Sequence, residues 1–372
     1  MRILVTGGAG FVGSHTVDAL LLKGHEIRVY DNLDPQVHGP NAGIPSYLNS
    51  NIEFIRGDVR DRDALKKAVQ GVDGIFHLAA AVGVGQSMYE IKRYVEVNSL
   101  GGAVLLDILA NEKHRVQKVV VASSMSIYGE GQYQCLHHGM VYPKLRAEKQ
   151  LETRDWEMHC PICGMIATPV PTNEEKPLFP TSIYAISKRD HEEMFLVTGW
   201  SYKIPTVALR YFNIYGSRQA LSNPYTGVAA IFSSRLLNHK SPFVYEDGLQ
   251  SRDFVHVSDI VQANILAFEK EEADNQVFNV GTGRKLTIMD VGNILSKKLD
   301  PEQKPVVLNQ FRAGDIRHCY ADVSKIHLNL GYSPKVKFED GMIELVEWVR
   351  QQQADDLGEK ARNQLLDRKL VR

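Results

Sequence analysis

The chain has 372 residues, 44% of them hydrophobic, and its charged residues nearly cancel at a formal net charge of −1. This balance excludes a disordered chain and does not favour a polyanion-binding surface, so no nucleic-acid partner is expected. No apolar run approaches the roughly 18 residues that span a bilayer, and the run at Ile3 stops at glycines, so neither a membrane partner nor a secretion signal is expected.

Short apolar runs alternate with helical patterns through residues 1–130. In chain order they are RILVTG, a helix from Ser14, EIRVYD, IEFIRGD, a helix from Asp63, GIFHLAA, a helix near Asn98–Ala110, and VQKVVVASS. This alternation predicts repeated strand–helix–strand units, and therefore an α/β fold whose parallel sheet is covered by helices on both faces.

Residues 131–178 break this rhythm, because they are rich in Pro, Cys, His and charge, and we interpret them as an insertion. The pattern returns as SIYAISKRDHEEMFL (helix), PTVALRYFN, PFVYEDG, RDFVHV and QVFNVGTG (strands), and helices at 228–237 and 257–269. From Asn213 onward it is less regular and carries several arginines, which predicts a smaller lobe facing the sheet. Residues 351–372 are typical of a polar surface helix.

Gly7, Gly10 and Gly13 lie between a predicted strand and a predicted helix. Glycines permit a tight turn and a close backbone approach, and the helix N-terminus presents unpaired N–H groups to a pyrophosphate. Asp31 ends the second strand, where a carboxylate can accept both ribose hydroxyls and would repel a 2′-phosphate. The sequence therefore predicts a Rossmann-type, doubly wound sheet that binds NAD rather than NADP.

Asp58 follows the third predicted strand. There it can reach, together with Val59, the adenine of the dinucleotide. A single carboxylate at a strand end can equally cap the next helix, so both interpretations stay open.

Tyr184 and Lys188 stand four residues apart in a predicted helix, so their side chains share one face. A free tyrosine, with a pKa of about 10, is a poor base at neutral pH, but a neighbouring ammonium stabilises the phenolate and lowers that pKa. This spacing alone is common by chance. The catalytic interpretation is strengthened by the strand ending in VVVASSMSIYG, which supplies hydroxyls at Ser123, Ser124 and Ser126.

Nine features extend along the chain, namely TGGAGFVG, Asp31, GDVRD, HLAA, SSMSIYG, YAISK, RYFNIYG, RDFVHVSD and FNVGTG. Together they resemble the extended short-chain dehydrogenase/reductase superfamily, and within it the nucleotide-sugar epimerases and dehydratases. The resemblance covers nearly the whole chain apart from residues 131–178 and the terminal tail. It is highly specific for fold and cofactor and less specific for substrate.

The resemblance implies that Tyr184 is the acid/base, that Lys188 binds the nicotinamide ribose and depresses the tyrosine pKa, and that Ser124 hydrogen-bonds the reacting sugar hydroxyl. Ser124 lies four residues before the tyrosine of IYG, where these enzymes place a catalytic Ser or Thr. The implied cofactor residues are Gly7, Gly10, Phe11, Val12, Gly13, Asp31, Asn32, Asp58, Val59, Leu78, Ala79, Ala80, Asn98, Tyr184 and Lys188. The implied substrate residues are Gln86, Ser87, Ser124, Ser126, Asn213, Tyr225, Thr226, Arg252, Arg312, Asp315 and Cys319.

The chain is accordingly expected to contain four parts. They are an NAD-binding domain at 1–130 and 179–212 with later strands from about 253–283, a Cys/His insertion at 131–178, a smaller α/β nucleotide-sugar lobe at 213–252 and 284–350, and a polar helix at 351–372. The resemblance also implies a homodimer, formed through the helices that contain Tyr184 and Asn98–Ala110.

Related sugar 4,6-dehydratases typically carry Asp and Glu directly after the catalytic hydroxyl, because removal of water needs an acid and a base. Here those positions are Met125 and Ser126, and neither exchanges a proton near neutral pH. What remains is oxidation and reduction at one carbon. This predicts a nucleotide-sugar 4-epimerase with a transient 4-keto sugar and a tightly bound NAD that is regenerated in each cycle.

Four further segments bear on the substrate: DNLDPQVHG, AAAVGVGQSMYEI, ASSMSIYGEGQYQC and QALSNPYTG. They resemble an epimerase subgroup that includes dTDP-L-rhamnose 4-epimerase-like proteins, which implies a dTDP-6-deoxy-hexose. A UDP-hexose or UDP-hexuronate is the alternative within the class. By the same resemblance Cys319 helps to wall the sugar and leaves room for larger substituents; a small buried core residue is the other interpretation.

Cys135, His138, Cys160 and Cys163 have the two-plus-two spacing of a tetrahedral structural zinc site, and each half is followed by glycine. His137 could replace His138 as a ligand. A redox pair at Cys160 and Cys163 is disfavoured because CPICGMIATPVP predicts no helix after it. Four protein ligands leave no open position, so zinc is expected to fold the insertion and not to catalyse. Four cysteines in so long a chain make no disulfide framework and fit a reducing cytoplasm.

Two other interpretations of function stay open. A nucleotide-sugar dehydrogenase or reductase would use the same residues as an epimerase but exchange its cofactor, and a dehydratase belongs to the same superfamily. A protein of another class, catalytically silent and binding NAD, zinc and a partner, would not require the serine, the tyrosine–lysine pair and the diphosphate arginines that this sequence carries.

Overall fold

A computed structural model describes all residues, 1–372. The strands are β1 Arg2–Thr6, β2 Glu26–Asp31, β3 Glu53–Arg56, β4 Gly74–His77, β5 Lys118–Ser124, β6 Gln132–Cys135, β7 Gly139–Val141, β8 Thr168–Val170, β9 Thr206–Tyr211, β10 Asn213–Tyr215, β11 Phe243–Val244, β12 Ser251–Arg252, β13 Phe254–His256, β14 Val277–Val280, β15 Leu286–Thr287, β16 Val306–Val307 and β17 His318–Cys319. The helices are α1 Phe11–Leu22, α2 Pro35–His38, α3 Arg62–Val69, α4 Val84–Ser87, α5 Ile91–Tyr94, α6 Gly101–Asn111, α7 Glu148–Glu152, α8 Ile183–Tyr202, α9 Val228–Leu237, α10 Val257–Glu269, α11 Ile288–Leu299, α12 Ser324–Leu330, α13 Phe338–Val349 and α14 Gly358–Asp367. None of these helices combines the length and the apolar character that a membrane crossing requires.

A sheet of seven parallel strands forms the centre of the molecule, in the order β3-β2-β1-β4-β5-β9-β14. In β1, Ile3 and Val5 pack into the core on one face and Leu4 packs into the core on the other. Such strands are apolar on both sides because helices cover both faces of a parallel sheet. The predicted α/β fold with a Rossmann-type sheet is confirmed. Its strand order reverses between β1 and β4, where a crevice opens at the carboxyl ends.

Helices cover the two faces of the sheet in separate layers. α1 and α10 contact each other on one face, and α6 packs against α3 and α8 on the other. The helix predicted near Asn98–Ala110 is present, but its first part is a π-helical stretch, Val95–Leu100, that continues into α6. α8 begins at Ile183 because the hydroxyl of Ser182 accepts a hydrogen bond from the amide of Ala185 at 3.1 Å.

A smaller lobe faces the carboxyl edge of the sheet and has its own core, built around α9, α11 and α13. Of the later strands expected to join the NAD-binding domain from about 253–283, only β14 pairs with the central sheet. β13 pairs instead with β10 in a separate two-stranded ribbon. Val255 of β13 still packs into the core on one face of the central sheet, so the apolar run predicted the strand but not the strand with which it pairs.

Residues 131–178 form a small unit of their own, which we call the insert. Its strands make an antiparallel sheet in the order β7-β6-β8, and irregular chain with the short helix α7 connects β7 to β8. Six buried residues, two of them cysteines, form its core: Tyr133, Cys135, Val141, Met158, Cys160 and Ala167.

Residues 351–372, which we call the arm, differ from the expected surface helix in two respects. Only Gly358–Asp367 is helical. Ala361 and Leu365 are buried, at 6% and 5% exposed, because this helix lies against the rest of the molecule at the crevice. The arm's last residues are extended, with a bridge between Val371 and Arg312 of the lobe.

Candidate active site

A cavity of about 770 Å³ lies along the carboxyl ends of the sheet strands and is bounded opposite them by the lobe and the arm. Nearly all residues expected to bind cofactor or substrate line it. The exceptions are Ser87, Asn98 and Cys319. The structure therefore brings together, in one cavity, motifs that are spread over more than three hundred residues of sequence.

The turn after β1 lies too close to neighbouring backbone for side chains. Gly7 has a φ of +69°, and a Cβ there would lie 2.7 Å from the amide nitrogen of Ala79. A Cβ on Gly13 would lie 2.1 Å from the carbonyl oxygen of Gly7. Only glycine fits at both positions, so the backbone N–H groups at the start of α1 stay open to the cavity.

Asp31, at the end of β2, is held against this turn. Its carboxylate accepts hydrogen bonds from the amides of Ala9 at 3.0 Å and Leu33 at 2.9 Å. The next strand end carries Asp58, which pairs with Arg60 at 2.8 Å and accepts from the Asn32 amide at 3.1 Å. Hydrogen bonds from Arg60 lower the pKa of Asp58 to about 2, so this carboxylate is ionised at neutral pH.

Asn98 and Ser87 were expected to touch the ligands, and the structure places both behind the cavity wall. The Asn98 side chain accepts from the Ala81 amide at 2.8 Å and donates to the Ser187 hydroxyl at 2.9 Å. It thus ties the loop after β4 to α8. The Ser87 hydroxyl donates to the Val84 carbonyl at 2.7 Å inside α4. Both side chains are fully buried and their polar groups are used by neighbouring protein atoms.

Three side chains meet where β5 ends beside α8. Ser124 is the last residue of β5 and accepts hydrogen bonds from the amide and the hydroxyl of Ser126, at 3.2 and 2.9 Å. Tyr184 lies in the first turn of α8, and Lys188 follows one turn later with its amine 2.6 Å from the carbonyl oxygen of Ala122. The neighbouring Ser123 points away and donates to Glu192. The predicted trio therefore lines one stretch of the cavity.

Burial is the largest cause of the pKa shifts of Tyr184 and Lys188. It raises the pKa of Tyr184 above that of a free tyrosine, and the Ser124 hydroxyl partly opposes the shift. It lowers the pKa of Lys188 to about 8, against an opposing effect of Glu192. Lys188 does not contribute to the pKa of Tyr184 in this geometry, in which its amine lies on the Ala122 carbonyl, so the expected lowering stays a prediction.

No carboxylate lines the cavity near Ser124, since Glu192 binds Ser123 behind the cavity wall. The acidic residues that line the cavity are Asp31, Asp34, Asp58 and Asp315. The first three lie on the β2 and β3 side, and Asp315 belongs to the lobe. Tyr211 is the cross-strand neighbour of Ser124, but its hydroxyl donates to Asn264, so Tyr184 and Lys188 are the titratable groups left beside Ser124 to exchange a proton.

The lobe contributes the predicted cations. Arg252 donates to the carbonyl oxygens of Ser251, Ile316 and Arg317 at 2.7 to 2.9 Å. Arg312 pairs with Asp315 at 2.7 Å, and its guanidinium lies 4.7 Å from the ring centroid of Tyr245. The predicted Asn213 also lines this part, and its side-chain oxygen is buried without a hydrogen-bond partner. These groups suit an anionic ligand that carries a planar ring.

Gln86, Tyr225 and Thr226 line the cavity between the trio and the arm. Gln86 accepts a hydrogen bond from the hydroxyl of Tyr94 at 3.0 Å. The hydroxyl of Tyr225 donates to Gln364 of the arm at 2.7 Å. These polar groups make a wall suited to hydroxylated ligands.

Cys319 does not wall the cavity. It is 1% exposed, and its thiol lies 3.8 Å from the hydroxyl of Thr172. Burial raises the pKa of this thiol to about 12. The structure agrees with the alternative interpretation, a small buried core residue.

Several cavity residues were not anticipated from the sequence. They are Gln36, Arg93, Arg235, Tyr245, Arg362 and Leu365, among others. Tyr245 lies in PFVYEDG, which the sequence marked only as a strand. The residues of the arm had no apparent signal, because an amphipathic helix pattern does not reveal which surface it covers.

The four predicted metal ligands of the insert converge. One ligand atom each from Cys135, His138, Cys160 and Cys163 lies within 4.8 Å of all the others. The Cys135 thiol is 3.5 Å from Nδ1 of His138 and 3.7 Å from the Cys163 thiol, and the Cys160 thiol is 3.7 Å from the same nitrogen. Tetrahedral zinc, with Zn–S of about 2.3 Å and Zn–N of about 2.0 Å, holds such atoms roughly 3.5–3.8 Å apart. His138, not His137, is the histidine of this cluster.

Comparison with known proteins agrees with this site. Residues 3–150 match the family described as NAD dependent epimerase/dehydratase family, and residues 164–345 match the family described as GDP-mannose 4,6 dehydratase. The chain is 36% identical over 354 residues to dTDP-L-rhamnose 4-epimerase of Burkholderia thailandensis, covering 94% of this chain and 95% of the relative.

Two solved structures are similar over almost their whole length. UDP-glucose 4-epimerase of Thermotoga maritima, solved with UDP-glucose, has a TM-score of 0.75 and 32% identity over 94% of this chain and 99% of its own. UDP-glucose 4-epimerase of Thermus thermophilus, solved with NAD, has a TM-score of 0.74 and 31% identity over 95% of this chain and 100% of its own. With the glycine turn, the serine–tyrosine–lysine trio and the arginine lobe in one cavity, the chain belongs to the NAD dependent epimerase/dehydratase family.

Proposed function

We propose that this protein is a nucleotide-sugar 4-epimerase that uses a tightly bound NAD and a transient 4-keto sugar. The observation that carries the proposal is the position of Ser124, Tyr184 and Lys188 between the glycine turn and the arginine lobe, with no carboxylate lining the cavity beside the serine. Elimination of water would need further acid and base groups at that point. Proton transfer and redox change at a single carbon need only the groups that are present.

The residues at the glycine turn fit NAD. Cβ atoms on Gly7 or Gly13 would collide with neighbouring backbone, so the turn is built for close approach of a pyrophosphate. Asp31 has a fixed carboxylate for ribose hydroxyls, and Asp58 is ionised beside Asn32. When bound, NAD supplies the acceptor and then the donor of the C4 hydride, together with a positively charged nicotinamide ring.

The protein's own groups handle the proton. Tyr184 accepts the proton of the C4 hydroxyl and returns it after the sugar has turned over in the cavity. Ser124, oriented by its hydrogen bonds with Ser126, holds that hydroxyl. Lys188 lies one turn from the tyrosine on the same helix face, and its ammonium favours the phenolate once the amine leaves the Ala122 carbonyl.

The substrate is proposed to lie with its diphosphate at Arg252 and Arg312, its nucleoside ribose at Asp315, and its sugar between Ser124 and Tyr225. A dTDP-6-deoxy-hexose of the L-rhamnose type is supported by the 36% identity to a relative with that name. A UDP-hexose or UDP-hexuronate is supported by the structural neighbours.

The test is to incubate the purified protein, without added NAD, with a panel of dTDP- and UDP-sugars and to follow the C4 configuration by NMR. Substoichiometric enzyme should interconvert one C4 pair to equilibrium. If product forms only when stoichiometric cofactor is added, the protein is a dehydrogenase or reductase instead. Loss of water from the sugar would indicate a dehydratase, and no turnover of any sugar would favour the catalytically silent binding protein.

We further propose that the insert holds one structural zinc ion at Cys135, His138, Cys160 and Cys163. The spacing of their ligand atoms supports this, as do the glycines that follow each half, Gly139 and Gly164, which have φ values of +66° and +73°. A core of six residues is small for an independent unit, so a metal would stabilise it as a staple. All four positions would be filled by protein, which leaves zinc no part in the reaction.

We also propose that the protein is a homodimer and that separate parts of the chain bind NAD and the nucleotide sugar. The α8 face turned away from the sheet exposes apolar residues, including Trp200 at 74% and Val197 at 66%, which supports pairing through α8 and α6. The separate cores support an NAD-binding domain at 1–130 and 179–212 and a nucleotide-sugar lobe at 213–252 and 284–350, except that buried residues between 319 and 332 pack into the core of the central sheet. Light scattering on the purified protein and on a Trp200→Glu variant tests the dimer.

A further inference from the structure

The arm forms the wall of the cavity that faces the catalytic trio. Gly358, Ala361, Arg362 and Leu365 of α14 all line the cavity. An ion pair of 3.1 Å between Arg235 of the lobe and Asp356, whose side chain is only 3% exposed, anchors the start of this segment. The wall is therefore fixed to the lobe before the helix begins.

The end of the arm is joined to the loop that carries the nucleotide-binding residues. Phe311 and Arg372 exchange two backbone hydrogen bonds of 2.9 and 3.0 Å, and the amide of Ala313 donates to Leu370 at 2.8 Å. Arg312, proposed to bind the diphosphate, lies between those two paired residues. The arm thus braces the backbone from which Arg312 projects.

In the middle of the arm, Gln364 reaches the sugar end of the cavity. Its side-chain oxygen accepts hydrogen bonds from the hydroxyls of Tyr225 at 2.7 Å and Tyr89 at 3.1 Å. Because one acceptor holds both phenols, Gln364 sets the direction of Tyr225, a residue proposed to contact the sugar.

Arg362 is the arm residue with unused capacity to bind a ligand. Its Nη2 donates to the side chain of Gln310 at 2.8 Å, and its guanidinium lies 5.7 Å from the ring centroid of Phe243. Its Nε is buried and has no hydrogen-bond acceptor. No carboxylate lies within 4.0 Å of it, so this guanidinium is a cation at the cavity wall without a counter-charge.

Among the arginines that line the cavity, a guanidinium without a carboxylate partner is rare. The six are Arg60, Arg93, Arg235, Arg252, Arg312 and Arg362. Four of them have carboxylate partners. Arg252 has none, but three backbone carbonyls occupy its guanidinium. Arg362 is left as the arginine that has neither a carboxylate partner nor a full set of hydrogen bonds, and an unpaired guanidinium in a partly buried site favours an anion.

We propose that the arm completes the nucleotide-sugar site, with Arg362 binding the nucleoside diphosphate and Gln364 positioning Tyr225 at the sugar. The inference rests on the proposed function for the identity of the substrate. It adds two substrate-recognition residues from a segment outside both the sheet and the lobe. A diphosphate carries the charge that Arg362 lacks, and a planar guanidinium can donate two hydrogen bonds to it.

The first test measures the binding of UDP, dTDP, GDP and CDP by calorimetry to the full-length protein and to Arg362→Gln. Loss of one charge-assisted contact should weaken binding of the preferred nucleotide about tenfold or more. Arg362→Lys should recover part of the loss, because it restores the charge without the fork. Lys360→Gln removes an equal charge from an exposed position on the same helix and should bind like the wild type. Equal affinity of Arg362→Gln and Lys360→Gln, with unchanged thermal stability, would overturn the role of Arg362.

The second test separates the two ends of the substrate. Gln364→Leu should raise KM for the nucleotide sugar severalfold while the Kd for the free nucleoside diphosphate stays at the wild-type value, because Tyr225 lies at the sugar end. An unchanged KM would overturn the positioning role of Gln364. Because calorimetry with nucleoside diphosphates needs no turnover, the arm proposal can fail while epimerase activity stands, and epimerase activity can fail while the arm still binds nucleotide.

Discussion

The two sides of the cavity are built in different ways. The catalytic side consists of the end of β5 and the first turns of α8, and each part carries its chemistry within a few consecutive residues, Ser124 on one and Tyr184 with Lys188 on the other. The opposite side is assembled from the lobe and the arm, which meet only in the folded chain, and the insert contacts the lobe from behind it. Reaction chemistry is thus encoded locally in this protein, whereas recognition depends on contacts between distant segments.

A buried network of charges holds the recognition side together. Arg146 of the insert makes a two-pronged ion pair with Glu246 of the lobe at 2.8 and 3.0 Å, and also donates to the Asp315 carbonyl at 3.3 Å. Arg317, fully buried, contacts the same Glu246 at 2.9 Å and Glu157 of the insert at 2.6 Å. Ion pairs therefore join the insert to the lobe, and one hydrogen bond joins it to the backbone of Asp315, which is proposed to bind the nucleotide, although its metal cluster lies apart from the cavity.

The largest effect is expected on the catalytic side. Tyr184→Phe removes the phenol that is proposed to exchange the substrate proton, so turnover should fall about 10³-fold. NAD content, measured after denaturation, should not change. Tyr202→Phe, an exposed tyrosine at the end of the same helix, is the matched control and should keep wild-type turnover. Comparable activity of the two variants would refute the assignment of Tyr184.

Next in size is a loss of stability on the recognition side. Arg146→Met leaves Glu246 buried with one partner fewer, and breaking a buried ion pair costs about 3 kcal/mol of unfolding free energy. The exposed pair of Arg189 and Glu193, 2.8 Å apart on α8, is the control, and Arg189→Met should cost less than about 0.5 kcal/mol. Chemical denaturation measures both variants, and equal costs would show that the buried network is not what ties the insert to the lobe.

Lys188 offers a test through pH. Burial lowers its pKa to about 8, so the ammonium is present below that pH and is lost as the pH rises through it. Turnover should therefore fall on the alkaline side with an apparent pKa near 8. Lys188→Met should lower turnover about 100-fold at a pH of about 7 and abolish this limb. Lys188→Arg, which stays charged, should be flat at alkaline pH; an alkaline limb that persists in Lys188→Arg would show that another group titrates there.

The smallest effect is expected from the metal cluster. Replacing Cys160 and Cys163 with serine should remove one zinc ion per chain, as measured by elemental analysis, and raise KM for the nucleotide sugar about tenfold by loosening the insert. NAD should stay bound, because the glycine turn does not touch the insert. Cys319→Ser, which lies outside the cluster, should retain the zinc. Unchanged metal content and kinetics in the double variant would refute the proposal that zinc at this cluster stabilises the insert.

Much of the catalytic side was predictable because its signals are local. The apolar runs marked the seven strands of the sheet, the glycine spacing marked the turn at Gly7, and Tyr184 and Lys188 share a helix face by periodicity alone. The two halves of the Cys/His cluster were also predictable from the spacing of their ligands, since each half is a short turn. What these predictions have in common is that neighbouring residues determine the geometry.

The tertiary structure decided the rest. In the folded chain Ser87, Asn98 and Cys319 do not line the cavity, because nearby backbone and side chains already bind or bury their polar groups. The tertiary structure also paired β13 with β10, and it turned an arm whose pattern predicts a solvated helix into the wall that holds Arg362. Local periodicity specifies which face of an element is apolar, but the partner of that face depends on contacts between residues that are hundreds of positions apart in the chain. By itself the sequence determined the chemistry and its cofactor, and long-range packing decided how the substrate is enclosed.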